Sequence, residues 1–217
     1  MELGYAGFRQ EGSRTAIVAP ALVGNFGVAR NIELVAEFAF VGDLSQSQVN
    51  SETGLEDNAV SLKWVAQDGV LQEDGHRPSL ALEMGLLLPT THGQHGAGGE
   101  VVAIESDRIR GWTYHLNAGA LIDPGGAGPG AMWGVILEHP LAHSLRVVGE
   151  IDGESVRGSA ADNSVLIGAI WDAQAPAPLE DLSFDVGLGH GLSRSAADWG
   201  GTAGITFSFP IDGRADG

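Results

Sequence analysis

The chain has 217 residues, no cysteine, and 28 acidic residues against 11 Lys and Arg, for a net charge of −17. That composition excludes a disulfide framework and thiolate metal sites, and it suits neither nucleic acid nor anionic lipid headgroups. No apolar run reaches the roughly 18 residues of a transmembrane helix, while 33 glycines fit a chain of many turns and closely packed strands.

Turn signals divide the chain into runs of roughly ten residues. In chain order, strands are predicted near 1–8, 14–26, 31–42, 56–67, 78–90, 98–106, 110–121, 130–139, 144–153, 162–172, 181–191 and 200–209. No longer segment has a clean helical period, so almost no helix is expected. The opening, Met1-Glu2-Leu3-Gly4-Tyr5, has neither a basic nor an apolar stretch, so no signal peptide is visible. An exported barrel needs one, and a chain already trimmed of it is expected.

Within these runs apolar and polar residues alternate with the period of 2 that gives a strand two unlike faces. Ile32, Leu34, Ala36, Phe38 and Phe40 oppose Glu33, Val35, Glu37 and Ala39. Leu80, Leu82, Met84, Leu86 and Leu88 oppose Ser79, Ala81, Glu83 and Gly85. In the closing run Ala203, Ile205, Phe207 and Phe209 oppose Thr202, Gly204, Thr206 and Ser208. The apolar face carries Tyr5, Phe26, Phe38, Phe40, Trp64, Trp112, Tyr114, Trp133, Trp171, Phe184, Phe207 and Phe209. The other face is rich in Gly, Ala, Ser and Thr, which suits a narrow lumen, whereas a soluble surface carries mostly Lys and Glu. This favours a membrane barrel with an apolar exterior over a soluble β-sandwich or barrel with an apolar core. The run 162–172 fits least well, because Leu166 and Ile170 fall on its inner face.

Parity sharpens the fold. The tight connections Gly27–Arg30 and Pro140–His143 reach one side of the membrane only if the run Glu100–Glu105 is also a strand. The expected fold is therefore an all-β, twelve-stranded, antiparallel, up-and-down transmembrane barrel over 1–209, with a tail at 210–217. Longer outer loops are expected near 9–13, 43–55, 91–97, 122–129, 154–161 and 192–199.

Several short stretches are similar to a family of Gram-negative outer-membrane proteins named for the phenol-degradation meta-pathway. These are Gly24-Asn25-Phe26-Gly27-Val28 with Arg30-Asn31-Ile32-Glu33-Leu34; Leu86-Leu87-Leu88-Pro89-Thr90; His115-Leu116-Asn117-Ala118-Gly119; and Asp198-Trp199-Gly200 through Phe209. The resemblance covers most of the chain. It implies a bacterial outer-membrane barrel concerned with passage of small molecules, and it supplies no catalytic residues. Such barrels usually end on an aromatic residue read by the assembly machinery, whereas here eight residues follow Phe209.

The lumen-lining candidates are Glu33, Glu37, Lys63, Glu83, Glu105, His115, Asn117, Glu138, Arg146, Glu150, Asp152 and Asp185. Acids outnumber bases, which favours cations in a water-filled pore. The same charges can instead form a network that braces and fills the interior. The expected function is a channel or passive transporter for small molecules, hydrophobic ones included. A non-conducting structural or adhesive barrel with partner-binding outer loops is the alternative. Expected partners are outer-membrane lipids, a small solute and the barrel-assembly machinery; no nucleic acid, cofactor, metal or enzymatic activity is expected. His92 and His95 sit in a Gly-rich segment and read as a loop, since a metal site wants more ligands. Asp185, His190 and Ser193 hold the ingredients of a hydrolase triad, but Asp185 and His190 fall on opposite strand faces.

Overall fold

A strand with one apolar face must either bury that face or meet a solvent that matches it. The computed structural model describes residues 2–43, 53–72, 77–90 and 95–209. Its strands are β1 (Glu2–Glu11), β2 (Arg14–Ala29), β3 (Ile32–Asp43), β4 (Thr53–Gln67), β5 (Ser79–Leu87), β6 (Gly98–Ile109), β7 (Trp112–Ile122), β8 (Pro129–Ala142), β9 (Leu145–Val156), β10 (Asp162–Asp172), β11 (Asp181–Gly191) and β12 (Trp199–Ser208). Each pairs antiparallel with its sequence neighbours, and β12 pairs with β1, so the sheet is a closed twelve-stranded barrel. Closure leaves no free sheet edge. A 3-10 turn at Val70–Gln72 is the only helical segment among the described residues.

Several strands run further than the sequence pattern suggests, while β5 stops at Leu87, short of the predicted run 78–90. β2 reaches Ala29, β6 Ile109 and β9 Val156. In place of a loop at 9–13, Gly12 and Ser13 alone join β1 to β2. At the end holding both termini, three hairpins turn on two residues each: Arg30–Asn31, Arg110–Gly111 and His143–Ser144. Arg110 and Gly111 have φ of 53° and 85°, the paired positive values of a type I′ hairpin, whose twist matches that of the strands. The connections 68–78 and 173–180 at the same end are longer than these hairpins, and they fall where the predicted strands leave gaps. Of the predicted loop 43–55, residues 44–52 lie outside the described residues, as do 91–94 and the tail 210–217.

The apolar face points outward. The chain's five tryptophans, Trp64, Trp112, Trp133, Trp171 and Trp199, are 41–52% exposed. Met84, Leu86, Ile167, Val186 and Leu188 are likewise exposed along the strand middles. Aromatic residues collect toward the two ends. Trp64, Trp112, Trp171 and Phe207 lie near the strand ends on the side of the termini, and Trp133 and Trp199 near the opposite ends. Trp112 stacks on His139 with ring centroids 4.5 Å apart, and Trp171 on Phe184 at 5.5 Å. An apolar band between aromatic girdles is the outer surface of a barrel that meets hydrocarbon. Phe8 and Trp199 join that outer set, whereas the side chain of Tyr5 lies outside the described residues.

Inside, β2 and β3 carry a small apolar cluster of Val18, Ala21, Ala39 and Val41. It sits where β2 bulges. Val18 pairs with Val41 and Ala21 with Ala39, so three steps on β2 match two on β3, with Pro20 in the bulge. A bulge tolerates a residue that lacks an N–H to donate.

Candidate functional site in the acidic lumen

Register fixes which side chains meet inside the barrel. Glu33 of β3 pairs with Lys63 of β4, and Lys63 with Glu83 of β5, so the lysine lies in register between two glutamates. The Ser61 hydroxyl donates to Glu83. Glu37 pairs with inward-facing Ala59. Glu33, Lys63 and Glu83 thus lie on one connected inward row of register positions, with Glu37 on the same face of β3 as Glu33.

Toward the end with the termini, a polar ladder crosses five adjacent strands. Ser106 Oγ and His115 Nδ1 are 2.8 Å apart. His115 Nε2 lies 3.5 Å from Glu138 Oε1. Arg146 Nη1 donates to Glu138 Oε2 at 2.6 Å, and its Nη2 donates to Asp172 Oδ1 at 3.1 Å. Arg146 thus bridges two carboxylates from neighbouring strands, a geometry the planar guanidinium suits. Asp172 was not among the predicted residues. Its partner lies 26 positions away in sequence, and only the register of β9 with β10 brings them together. Replacing Arg146 with Met is expected to destabilise the barrel by about 2 kcal/mol, because two charges lose their counter-ion and Glu138 is largely buried. Urea titration in lipid vesicles reads this, and adding Glu138→Gln is expected to restore part of the loss.

Further inside, Asp152 accepts a hydrogen bond from Ser164 Oγ at 2.6 Å. Glu150 pairs with Ile136 and Leu166, and Asp185 with Ile170 and Gly204. Asn117 pairs with inward-facing Gly134. Leu166 and Ile170 do face inward. Leu166 fills space left by Gly187, where an added Cβ would meet its Cδ1 at 3.2 Å. The lumen wall therefore mixes carboxylates with apolar surface.

Glu105 is a correction: it faces outward. It pairs with Leu80 and Leu116, both on the apolar exterior, and it accepts a hydrogen bond from the Tyr114 hydroxyl at 3.1 Å. The inward acid of β6 is Glu100, five residues earlier and so of opposite parity. The intervening Val101-Val102-Ala103-Ile104 is apolar on both faces, so alternation alone did not fix which glutamate points in.

Two further inward acids were missed. Strict alternation from Trp64, Leu62 and Val60 puts Glu56 outside. However, Glu37 pairs with Ala59 and Ala39 with Glu56, so a bulge in β4 turns Glu56 inward. There it meets Arg9 of β1 at 3.0 Å, an ion pair between strands separated by β2 and β3. Glu154 belongs to the extension of β9 and pairs with inward Met132.

These acids converge at the end away from the termini. A cavity of about 520 Å³ is lined there by Glu37, Glu56, Glu100, Asp123 and Glu154, with apolar surface from Leu87, Leu121 and Met132. A second cavity of about 340 Å³ lies against β9–β12 around Asp185, Thr202 and Leu166.

The triad ingredients do not assemble. His190 faces outward, 4.5 Å from Trp199 between ring centroids, with Nδ1 at 2.5 Å from the Asp198 carbonyl. The Ser193 hydroxyl accepts from the Asn163 N–H at 2.9 Å, and Asp185 is inside the lumen. His92 lies outside the described residues, and no cluster of three or more metal-ligating side chains occurs among those described.

No protein-family model matches the chain, and no curated protein does. Among solved structures it is similar to the beta domain of the Bordetella autotransporter BrkA, at 12% identity and a TM-score of 0.50, over 96% of this chain and 98% of that one. A bacterial polysaccharide outer membrane secretin aligns over the same shares at 11% identity and a TM-score of 0.40. The likeness to the autotransporter domain is one of fold, and that fold is the closed antiparallel β-barrel.

Proposed function

We propose that this chain resides in the outer membrane of a Gram-negative bacterium as a passive channel or transporter for small molecules. The observation that carries the reading is the inside-out polarity: tryptophans and aliphatic side chains cover the exterior, while carboxylates surround a cavity in the interior. Outer-membrane lipid is the matching solvent for that exterior, and the barrel-assembly machinery is the route into it. Solute diffuses down its gradient. Acids at the end away from the termini concentrate cations there, and apolar wall segments accommodate solutes with apolar bodies. The resemblance of the short stretches quoted above to the phenol meta-pathway family supports cargo of that size.

The test is single-channel recording of refolded protein in a planar bilayer under a salt gradient. Discrete conductance steps with cation preference are expected. Inserted, folded protein with no conductance would instead favour the braced, non-conducting barrel, with the Ser106–His115–Glu138–Arg146–Asp172 ladder as part of its filling.

A further inference from the structure

Four oxygen-bearing side chains meet in the cavity against β9–β12: Ser183 and Asp185 of β11, and Thr202 and Thr206 of β12. Register places Ser183 beside Thr206, Asp185 beside Gly204 and Gly187 beside Thr202. Gly204 thus separates the two threonines on the inner face of β12, directly across from Asp185. A Cβ added to Gly204 would collide with the Asp185 carboxylate, so that carboxylate lies flat over the glycine, between the threonine positions. None of the four side chains makes a hydrogen bond or ion pair among the described residues. Other lumen acids differ: Glu83 accepts from Ser61, Asp152 from Ser164, and Glu138 and Asp172 share Arg146. Arg146 lines the same cavity, but its guanidinium is taken up by those two carboxylates. The rest of the wall is mostly aliphatic. Ile170 stands in register between Asp185 and Arg146, and Leu166 lies over Gly187, whose missing side chain opens the cavity.

We propose that this second cavity binds a small primary ammonium compound with an aliphatic body, the ammonium donating to Asp185 and to the hydroxyl oxygens of Thr202 and Thr206, and the body resting on Leu166 and Ile170. The single carboxylate calls for a single positive charge, and the three N–H donors of an ammonium match oxygens that the protein leaves without partners. A neutral alcohol supplies one donor and no charge. A quaternary ammonium supplies the charge and no N–H. A bare calcium ion, which takes about six to eight oxygen ligands, is poorly served by one carboxylate and three hydroxyls. The volume, about 340 Å³, lies in the range of small-molecule sites, roughly 300–1,000 Å³. The inference rests on the passage reading for how cargo arrives and names one class of it, but the site itself requires no open pore.

Isothermal titration calorimetry of the detergent-folded full chain tests it. The probe is isopentylammonium, with isopentyl alcohol as the neutral isostere and isopentyltrimethylammonium as the cation without N–H donors. Saturable binding of about one isopentylammonium per chain is expected, with both controls weaker by roughly tenfold or more. Asp185→Asn is expected to weaken binding by a similar factor. Thr202→Arg, which tethers a cation inside the cavity, is expected to abolish it. Ile170→Ala enlarges the aliphatic wall and is expected to shift preference toward the bulkier phenethylammonium, a change that misfolding cannot imitate. Glu105→Gln, on the outer face, is expected to leave binding unchanged, which separates the site from general attraction to an acidic protein. Non-saturable heats, equal binding of the alcohol, unchanged affinity in Asp185→Asn or unchanged preference in Ile170→Ala would overturn the proposal. Conductance without binding would overturn the site and spare the passage reading; binding without conductance would do the reverse.

Discussion

Ile167→Arg is expected to cost about 2–4 kcal/mol of folding stability in a bilayer, whereas Thr202→Arg is expected to change it by about 1 kcal/mol or less. Ile167 is at the centre of β10 and 71% exposed. Its register partners are Leu188 and Gly149, and Leu188 is also exposed. Arginine there must place its guanidinium in hydrocarbon or distort the bilayer to reach water. Thr202 lies two strands away and points inward. It lines the cavity that holds Asp185, where a cation has room and a counter-charge. Urea titration of both variants in lipid vesicles reads the difference. Equal losses would mean that the two faces meet similar surroundings, as in a strand buried on both sides.

The second large effect concerns charge selectivity. Glu37→Gln, Glu100→Gln and Glu154→Gln together remove three carboxylates from one cavity without changing side-chain size much. The cation-to-anion permeability ratio is expected to fall by roughly tenfold, since a ring of acids in a confined, low-dielectric mouth concentrates counter-ions by about that factor. Glu105→Gln removes one formal charge from the outer face, where Tyr114 holds that carboxylate, and is expected to leave the reversal potential unchanged, whereas Glu100→Gln alone, the same change inside the lumen, is expected to shift it. Equal shifts in Glu105→Gln and Glu100→Gln would mean that selectivity follows net charge and not the lumen.

The contrast between Glu100 and Glu105 shows how far the sequence could be read. Alternation was legible wherever large apolar residues held one parity, as in Leu80–Leu88 and Leu182–Leu188, and the strand count followed from placing two tight turns on one side. In β6 both parities are apolar, and only pairing with Leu80 and Leu116 decides the face. In β4 one extra residue resets the parity, so Glu56 turned inward with no local signal. Leu166 breaks the polar-inside rule because Gly168 and Gly187 leave the lumen room for it, and Ile170 faces inward in register between Arg146 and Asp185. The bridge from Arg146 to Glu138 and Asp172 depends on two registers at once, which no single run of residues encodes.

The central claim is that the apolar, aromatic face meets lipid. Intrinsic fluorescence tests it directly, because all five tryptophans are on that face. The refolded protein would be placed in vesicles of brominated lipids and, separately, in unlabelled vesicles with aqueous iodide. Strong quenching by bromine is predicted, greater for bromines near the headgroups than for those near the bilayer centre, with little quenching by iodide. Strong iodide quenching with little effect of bromine would contradict the account, since the tryptophans would then face water.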